Sequence, residues 1–527
     1  MHRTSQPKSI PAILVTSLIL LAVYVSSTES SGDFSIPSRT RNFRLGYNTN
    51  GSSIHNVNLA AVSNNTTDTL QLQGWTSDPN GRGTLTIIYG CCSTIFLCCW
   101  CVLCINVPPI TWGRWRRIHE KVLVACMGGL GPEFVFQLAL GQWVSARRSV
   151  EEFRRSGFEG WTITHAFLAD MGGFVLQPSD YVQFPLNGKQ VHFLVTEGYV
   201  PYSAVAIDTR VIHEKNKGGG LVRFITVCQI LWFSIGSIAR VVQRLDLTTM
   251  EPSTLAFIIC TLGTYVLWAR KPMDVENAII LTPNTTIGEI LIRAGNRARE
   301  PFRATPLDFV CRERSSWYLY WTYWMNIVRK LRLMYPIKRG PVEMIPDDNF
   351  PPLTGVSHVV LFLFQASYAA VLFFGWNYIF PTDIERLLWR ISTVYTLAAI
   401  TLYWIVDLYS WHLHPFFRKL TGQLLLHEKF DNQSVILCPR SQPKSKLRTC
   451  VAHLRNNSSL YDSHMDIPLK ALIPVTLLGI GYCIARAYVI LEDWINLRAL
   501  PPSAYATVNW SAFLIHFWYT LFTHSVF

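Results

Sequence analysis

Residues 122–145 read VLVACMGGLGPEFVFQLALGQWVS. A hydrocarbon core about 30 Å thick takes roughly 20 apolar residues to cross as a helix, and this stretch has the length for it. It does not have the continuity. Gly128, Gly129, Gly131 and Pro132 interrupt it, and Glu133 sits in its middle. Glycine weakens a helix and proline removes a donor and clashes with the preceding turn. The stretch therefore reads as a broken re-entrant hairpin or a helix buried against a bundle, where irregular backbone is tolerated because protein covers it.

The topology on either side depends on that reading. Seven other runs are accepted as spans: 85–107, 221–241, 254–270, 357–377, 387–408, 468–490 and 507–525. Lys and Arg beside span ends mark the cytosolic side. Arg114, Arg116, Arg117 and Lys121 follow the first run, and the segments 271–355 and 411–467 are dense in basic residues. The connections 242–253, 378–386 and 491–506 carry Arg244, Arg386 and Arg498 alone, as short lumenal turns do. This alternation closes only if 122–145 does not cross. The expected fold class is all-α: a polytopic transmembrane helical bundle of about seven spans plus one re-entrant or buried broken helix, with cytosolic helical insertions at 147–220, 271–355 and 411–467.

Composition agrees. Only 15% of residues are charged and 50% are hydrophobic, against about 25% charged in soluble domains. The net charge of +13 is accounted for by cytosolic loops facing anionic lipid, so the lipid bilayer is the expected partner and nucleic acid is not. Within 147–220, Arg147, Arg148, Glu151, Glu152, Arg154 and Arg155 alternate with Val150 and Phe153, a pattern able to lie along headgroups. The aromatics and cations of 303–335, from Trp317 to Arg332, fit either a membrane interface or a packed cytosolic cap.

At the N-terminus, Arg3 and Lys8 precede an apolar run from Ile10 to Val25 and then small polar residues. That is the layout of a signal peptide over residues 1–27, with an uncleaved anchor as the alternative. Residues 28–84 then form a lumenal loop and 85–527 the multi-pass domain, which places the chain in the endoplasmic reticulum or another secretory-pathway membrane. Asn50, Asn64 and Asn65 open glycosylation sequons in that loop, and Asn509 opens another close to the bilayer.

No metal site and no cofactor is expected. Cys91, Cys92, Cys98, Cys99, Cys101 and Cys104 crowd the first span without His, Asp or Glu beside them, which fits packing between helices better than zinc. His412 and His414 point apart on a helix and read as interfacial anchors. Walker, nucleophile-elbow and dinucleotide motifs are absent, and Asp347-Asp348-Asn349-Phe350 lacks the third carboxylate of soluble terpene synthases.

Ionisable groups at membrane depth cost several kcal/mol unless paired or wetted, so each is a candidate for function. Glu133, Asp407, Arg486 and His516 qualify. Arg486 and Glu492 are too far apart for an i, i+4 pair, so Arg486 should answer a carboxylate on another helix. Glu133 is the natural partner, either as an acid or as half of a structural ion pair. Asp170, in the polar stretch from Trp161 to Phe174, is the remaining candidate acid. His165 lies five residues before it and does not share its helix face.

The run Gly74-Trp75-Thr76-Ser77-Asp78-Pro79-Asn80-Gly81-Arg82-Gly83-Thr84, continuing through Cys91, Cys99-Trp100 and Asn106-Val107-Pro108, resembles the opening of a large fungal family of multi-pass membrane proteins. Pro132-Glu133, the stretch from Gln142-Trp143 to Arg147-Arg148, His165-Ala166-Phe167, Ala169 to Phe174 and Arg498-Ala499-Leu500-Pro501 are similar as well. Within that family the branch implied is the membrane-bound terpene cyclases of the ascochlorin and ascofuranone type. The resemblance implies an isomerase of fungal secondary metabolism that cyclises an epoxidised prenyl chain. Such chemistry needs an acid, a dry cavity and aromatic faces for the migrating cation; Glu133, Asp170 and Asp407 are the candidate acids, with Arg486 beside them. The alternative is a transporter or channel-like protein in which Glu133 and Arg486 gate a polar path.

Overall fold

The computed structural model describes residues 72–409 and 453–513, apart from 79–80, 110, 215–219, 313, 333, 335–339, 459–464, 466 and 512. The expected signal segment, Asn50, Asn64, Asn65, His412, His414, His516 and most of the run 507–525 lie outside the described residues.

The described chain is mostly helical, with five helices long and apolar enough to cross a membrane. These are α1 (Thr84–Phe96, prolonged by a π-helical turn to Cys101), α6 (Gly220–Val242), α7 (Met250–Leu267), α10 (Val356–Leu372) and α12 (Leu469–Ile495). Helix α7 is the central one and packs on α1, α10 and α12. Helix α6 lies at the periphery and turns Phe224, Leu231 and Trp232 outward. The run 387–408 forms α11 (Asp383–Asp407), which is less apolar than these five and packs along α12.

The interrupted stretch breaks where its sequence is weakest. Helices α2 (Arg114–Leu130) and α3 (Pro132–Arg155) meet at 115° across Gly131. Gly131 is extended, at φ −161° and ψ 107°, and Pro132 opens α3, where its missing N–H and fixed φ suit the first helical position. A Cβ on Gly131 would lie 2.8 Å from Glu133 Oε1, so only glycine leaves room for that carboxyl to fold back over the break.

Two sequence boundaries move. Helix α3 runs unbroken to Arg155, because Phe136, Leu140, Ala146, Ser149 and Phe153 keep one buried face at helical spacing; no segment begins at 147. Nor is the region before α1 wholly loop. Gln73 pairs with Leu500, Thr84 N–H donates to Thr76 O (3.0 Å), and Tyr505 OH donates to Gly74 O (2.7 Å). Arg82 reaches Glu251 at 2.7 Å. A Cβ on Gly83 would come within 2.7 Å of Thr76 O. The glycine-rich motif from Gly74 to Thr84 is thus a clasp that holds the start of α1 against residues 498–505 and the start of α7.

The fold is not purely α. A three-stranded sheet orders as β2 (Phe184–Leu186), β1 (Phe174–Leu176) and β3 (Ile279–Leu281), with β1 antiparallel to β2 and parallel to β3. Pro185 is accommodated because β2 is an edge. This sheet joins the segments on either side of α6 and α7, with α4 (Ile163–Asp170), α5 (Gly188–Thr196) and α8 (Ile287–Ala294) around it. Phe153, Trp161, Phe167, Leu186, Leu194 and Leu281 share one core. The two insertions read separately from sequence therefore fold as one layer. In α9 (Ser316–Lys330), Trp317, Tyr320 and Tyr323 are buried, which for these three favours the packed cap over an interface.

Candidate functional site

The break between α2 and α3 leaves two helix ends inside the bundle. The carbonyl end of α2 carries partial negative charge and lacks intrahelical donors, and the N-terminal end of α3 is the reverse. Helix α12 answers the first end, and α3 carries an acid of its own at the second. Arg486 Nε donates to Leu130 O at 3.1 Å. Glu133, in the first turn of α3, accepts at Oε1 from Tyr482 OH. Tyr482 and Arg486 are four residues apart, one turn of a single helix face.

Glu133 and Arg486 are each about 1% exposed. The guanidinium lies over the Tyr368 ring at 4.9 Å and the Phe257 ring at 5.9 Å. Among the described residues no ion pair joins Glu133 to Arg486 directly, and Glu133 Oε2 and Arg486 Nη1 have no hydrogen-bond partner. Glu133 and Arg486 interact by charge without a closed salt bridge. Next along α3, the Phe134 ring stacks on Trp317 at 5.6 Å, meets the edge of Tyr482 at 5.8 Å and lies 6.2 Å from Trp321.

The other acids stand apart. Asp407 ends α11 beside Tyr403. Tyr488 OH donates to Glu385 O, so α11 and α12 run antiparallel and Asp407 lies near the start of α12, several turns from Arg486. Asp170 belongs to the sheet-bearing layer. It accepts from Gly188 N at 3.0 Å at the start of α5, and burial raises its carboxyl above the usual range against the pull of that N–H and of Lys271. His165 has no relay to Asp170; its Nδ1 is bonded to Thr162 and its Nε2 to Ile207 O. Burial lowers its pKa. Asn509 is exposed, and its backbone exchanges hydrogen bonds with Gln243.

Two features were not among the candidate site residues. Asp493 lies seven residues beyond Arg486 on the same face of α12, a spacing that marks it in hindsight. Its carboxyl faces Thr249 and Ser253 at the start of α7. Lys271, just past α7, is buried and donates to Cys104 O (2.7 Å) and Gln142 Oε1 (2.8 Å). Asp347, close by, accepts from Asn106 N at 2.6 Å. These contacts pin the linker after α1 between α3, the end of α7 and the segment before α10.

Burial pushes the Asp347 carboxyl up to about 7, against the opposing pull of the Asn106 N–H and Lys271, and burial lowers the Lys271 amine. A carboxyl raised on folding favours the native state fully below its ordinary value, here 3.8. That contribution is lost as pH rises through about 7. Asp347→Asn keeps an acceptor for Asn106 and cannot ionise. Its thermal unfolding midpoint should therefore fall less than that of the parent protein between pH 3.8 and about 7; parallel profiles would refute the assignment.

The profile of a family of unknown function, DUF8562, matches residues 54–293 and 354–517. These ranges contain the glycine-rich clasp, Glu133, Tyr368, Tyr482, Arg486 and Asp493, and they omit Asp347. No curated protein and no solved structure matches the chain. With most of its length covered by that profile, the chain belongs to the DUF8562 family.

Proposed function

We propose that the chain is a membrane-bound terpene cyclase of isomerase type, which protonates an epoxidised prenyl substrate within the bundle and lets it cyclise. The observation that carries the reading is the buried carboxyl of Glu133, held on Tyr482, whose ring meets Phe134 in a cluster with Trp317 and Trp321. An acid in an apolar setting can deliver its proton to an epoxide oxygen, and aromatic faces stabilise the cation that follows. Arg486 offers charge to the carboxylate left behind. The helices able to cross a bilayer support residence in a membrane of the secretory pathway, with a lipid-soluble substrate entering from the bilayer.

The purified protein in lipid, given an epoxyfarnesyl-bearing aromatic in the presence of a chelator, should yield a cyclised product of unchanged mass. Glu133→Gln should reduce turnover by roughly 10²-fold or more. A folded wild-type protein that converts none of several such substrates would sink the reading.

A second reading rests on the break itself. Discontinuous helices whose ends meet charge inside a bundle are a recurrent transporter device, and α2 and α3 meet Arg486 and Glu133 in this way. Solute flux in proteoliposomes that is lost in Glu133→Gln, without any turnover, would favour it.

A further inference from the structure

Two buried carboxyls interact with the charge of Arg486. Glu133 is at the start of α3, and Asp493 lies two turns along α12 from Arg486, on the same helix face. All three are at least nine-tenths buried. The remaining titratable groups facing them are Tyr368, Tyr482 and Glu492, with the Cys260 thiol beside Glu133 and the Cys91 thiol beside Asp493; none of these brings a second positive charge. Two carboxylates and one guanidinium leave one uncompensated negative charge in an apolar interior, which is costly. A proton removes it.

The polar atoms around this trio are arranged for exchange. Glu133 Oε2 and Arg486 Nη1 have no hydrogen-bond partner, and the Asp493 carboxyl interacts with the Thr249 and Ser253 hydroxyls. A free acceptor on Glu133 and a free donor on Arg486 are therefore present in the trio.

We propose that Glu133 and Asp493 share a single proton, with Arg486 as counter-charge to whichever of the two is ionised. This deepens the cyclase reading and rests on it only for its purpose. In that reaction Glu133 gives its proton to the epoxide oxygen as the C–O bond breaks, and the final carbocation sheds a proton as its C–H electrons close an alkene. The isomerisation consumes no proton, so the one released has to return to Glu133. Asp493 holds it in transit, as a proton store that need not touch the substrate.

The test needs no turnover. Dicyclohexylcarbodiimide enters lipid and adds to a protonated carboxyl to leave a stable N-acylurea, which peptide mass mapping locates. In the wild-type protein in lipid vesicles, both Glu133 and Asp493 should be modified, with occupancies that add up to one per chain at saturation. Modifying either one leaves the other as the sole partner of Arg486, ionised and unreactive. In Asp493→Asn, reaction at Glu133 should fall by roughly tenfold for each pKa unit by which Arg486 favours its ionised form. Occupancies that fill independently toward two per chain would overturn the proposal. So would unchanged reaction at Glu133 in Asp493→Asn, or reaction at neither residue. Absence of a cyclised product, by contrast, would remove the cyclase reading and leave this measurement standing.

Discussion

Arg486→Met should destabilise the fold by roughly 3–5 kcal/mol at neutral pH, the usual consequence of removing one partner from a buried charge cluster. Met fills much of the same volume, so the loss is one of charge and hydrogen bonding, not of packing. Three groups are stranded: Glu133, Asp493 and the Leu130 carbonyl at the break between α2 and α3. The loss should shrink between about pH 8 and about pH 5, since a protonated carboxyl needs no counter-charge. Adding Glu133→Gln and Asp493→Asn should recover much of it, as replacing a whole buried charge group is often near neutral. Unfolding midpoints measured by size exclusion after heating would check this. A deficit equal at both pH values and untouched by the compensating changes would mean that Arg486 acts through packing alone.

The second large effect should come from Gly481→Leu. Helices α11 and α12 pack closely because the Tyr395 ring lies against Gly481; an added Cβ would stand 2.8 Å from Tyr395 Cε1. To make room, the hydroxyl end of Tyr395 would have to swing away from the α12 backbone and give up Leu478 O. Small residues at helix crossings allow this approach. Overpacking costs roughly 1–3 kcal/mol where the core can relax, and Leu here should reach the top of that range by forcing the helices apart. Gly479 is the control. A Cβ there meets Trp324 at an ordinary 3.5 Å, so Gly479→Ala should be neutral or stabilising by up to about 1 kcal/mol. Equal melting of the two variants would show that the α11–α12 contact does not depend on Gly481.

Much of the architecture was legible before any coordinates, for local reasons. Apolar runs of sufficient length became helices, and the Gly131–Pro132 interruption became the bend, because both follow from backbone chemistry within a few residues. The boundary at 147 failed because charge on the exposed face of α3 masked the buried face that continues beneath it. The small sheet escaped notice because Phe174–Leu176 and Ile279–Leu281 are too short to show a period of two, and they pair only across two intervening helices. At the site, Glu133 and Arg486 were found because a charge among apolar residues is conspicuous. Tyr482, Tyr368 and Asp493 were not, since a tyrosine in an apolar helix looks like packing and an acid near a helix end looks like solvated surface. Lys271 and Asp347 were absorbed into stretches read as basic or acidic loop. Their burial is decided by residues far away in the chain.

The clasp between Gly74–Thr84 and residues 498–505 has a bearing on biosynthesis. The first helix of the bundle leaves the ribosome hundreds of residues before Leu500 and Tyr505 exist to fasten it. Glu251 can engage Arg82 well before that, but the outer latch closes only once residues 498–505 have been made. A nascent chain arrested short of that point would keep α1 packed on α6 and α7 but fasten the glycine-rich turn through Arg82 and Glu251 without Leu500 and Tyr505, a difference that quality control in the membrane could read.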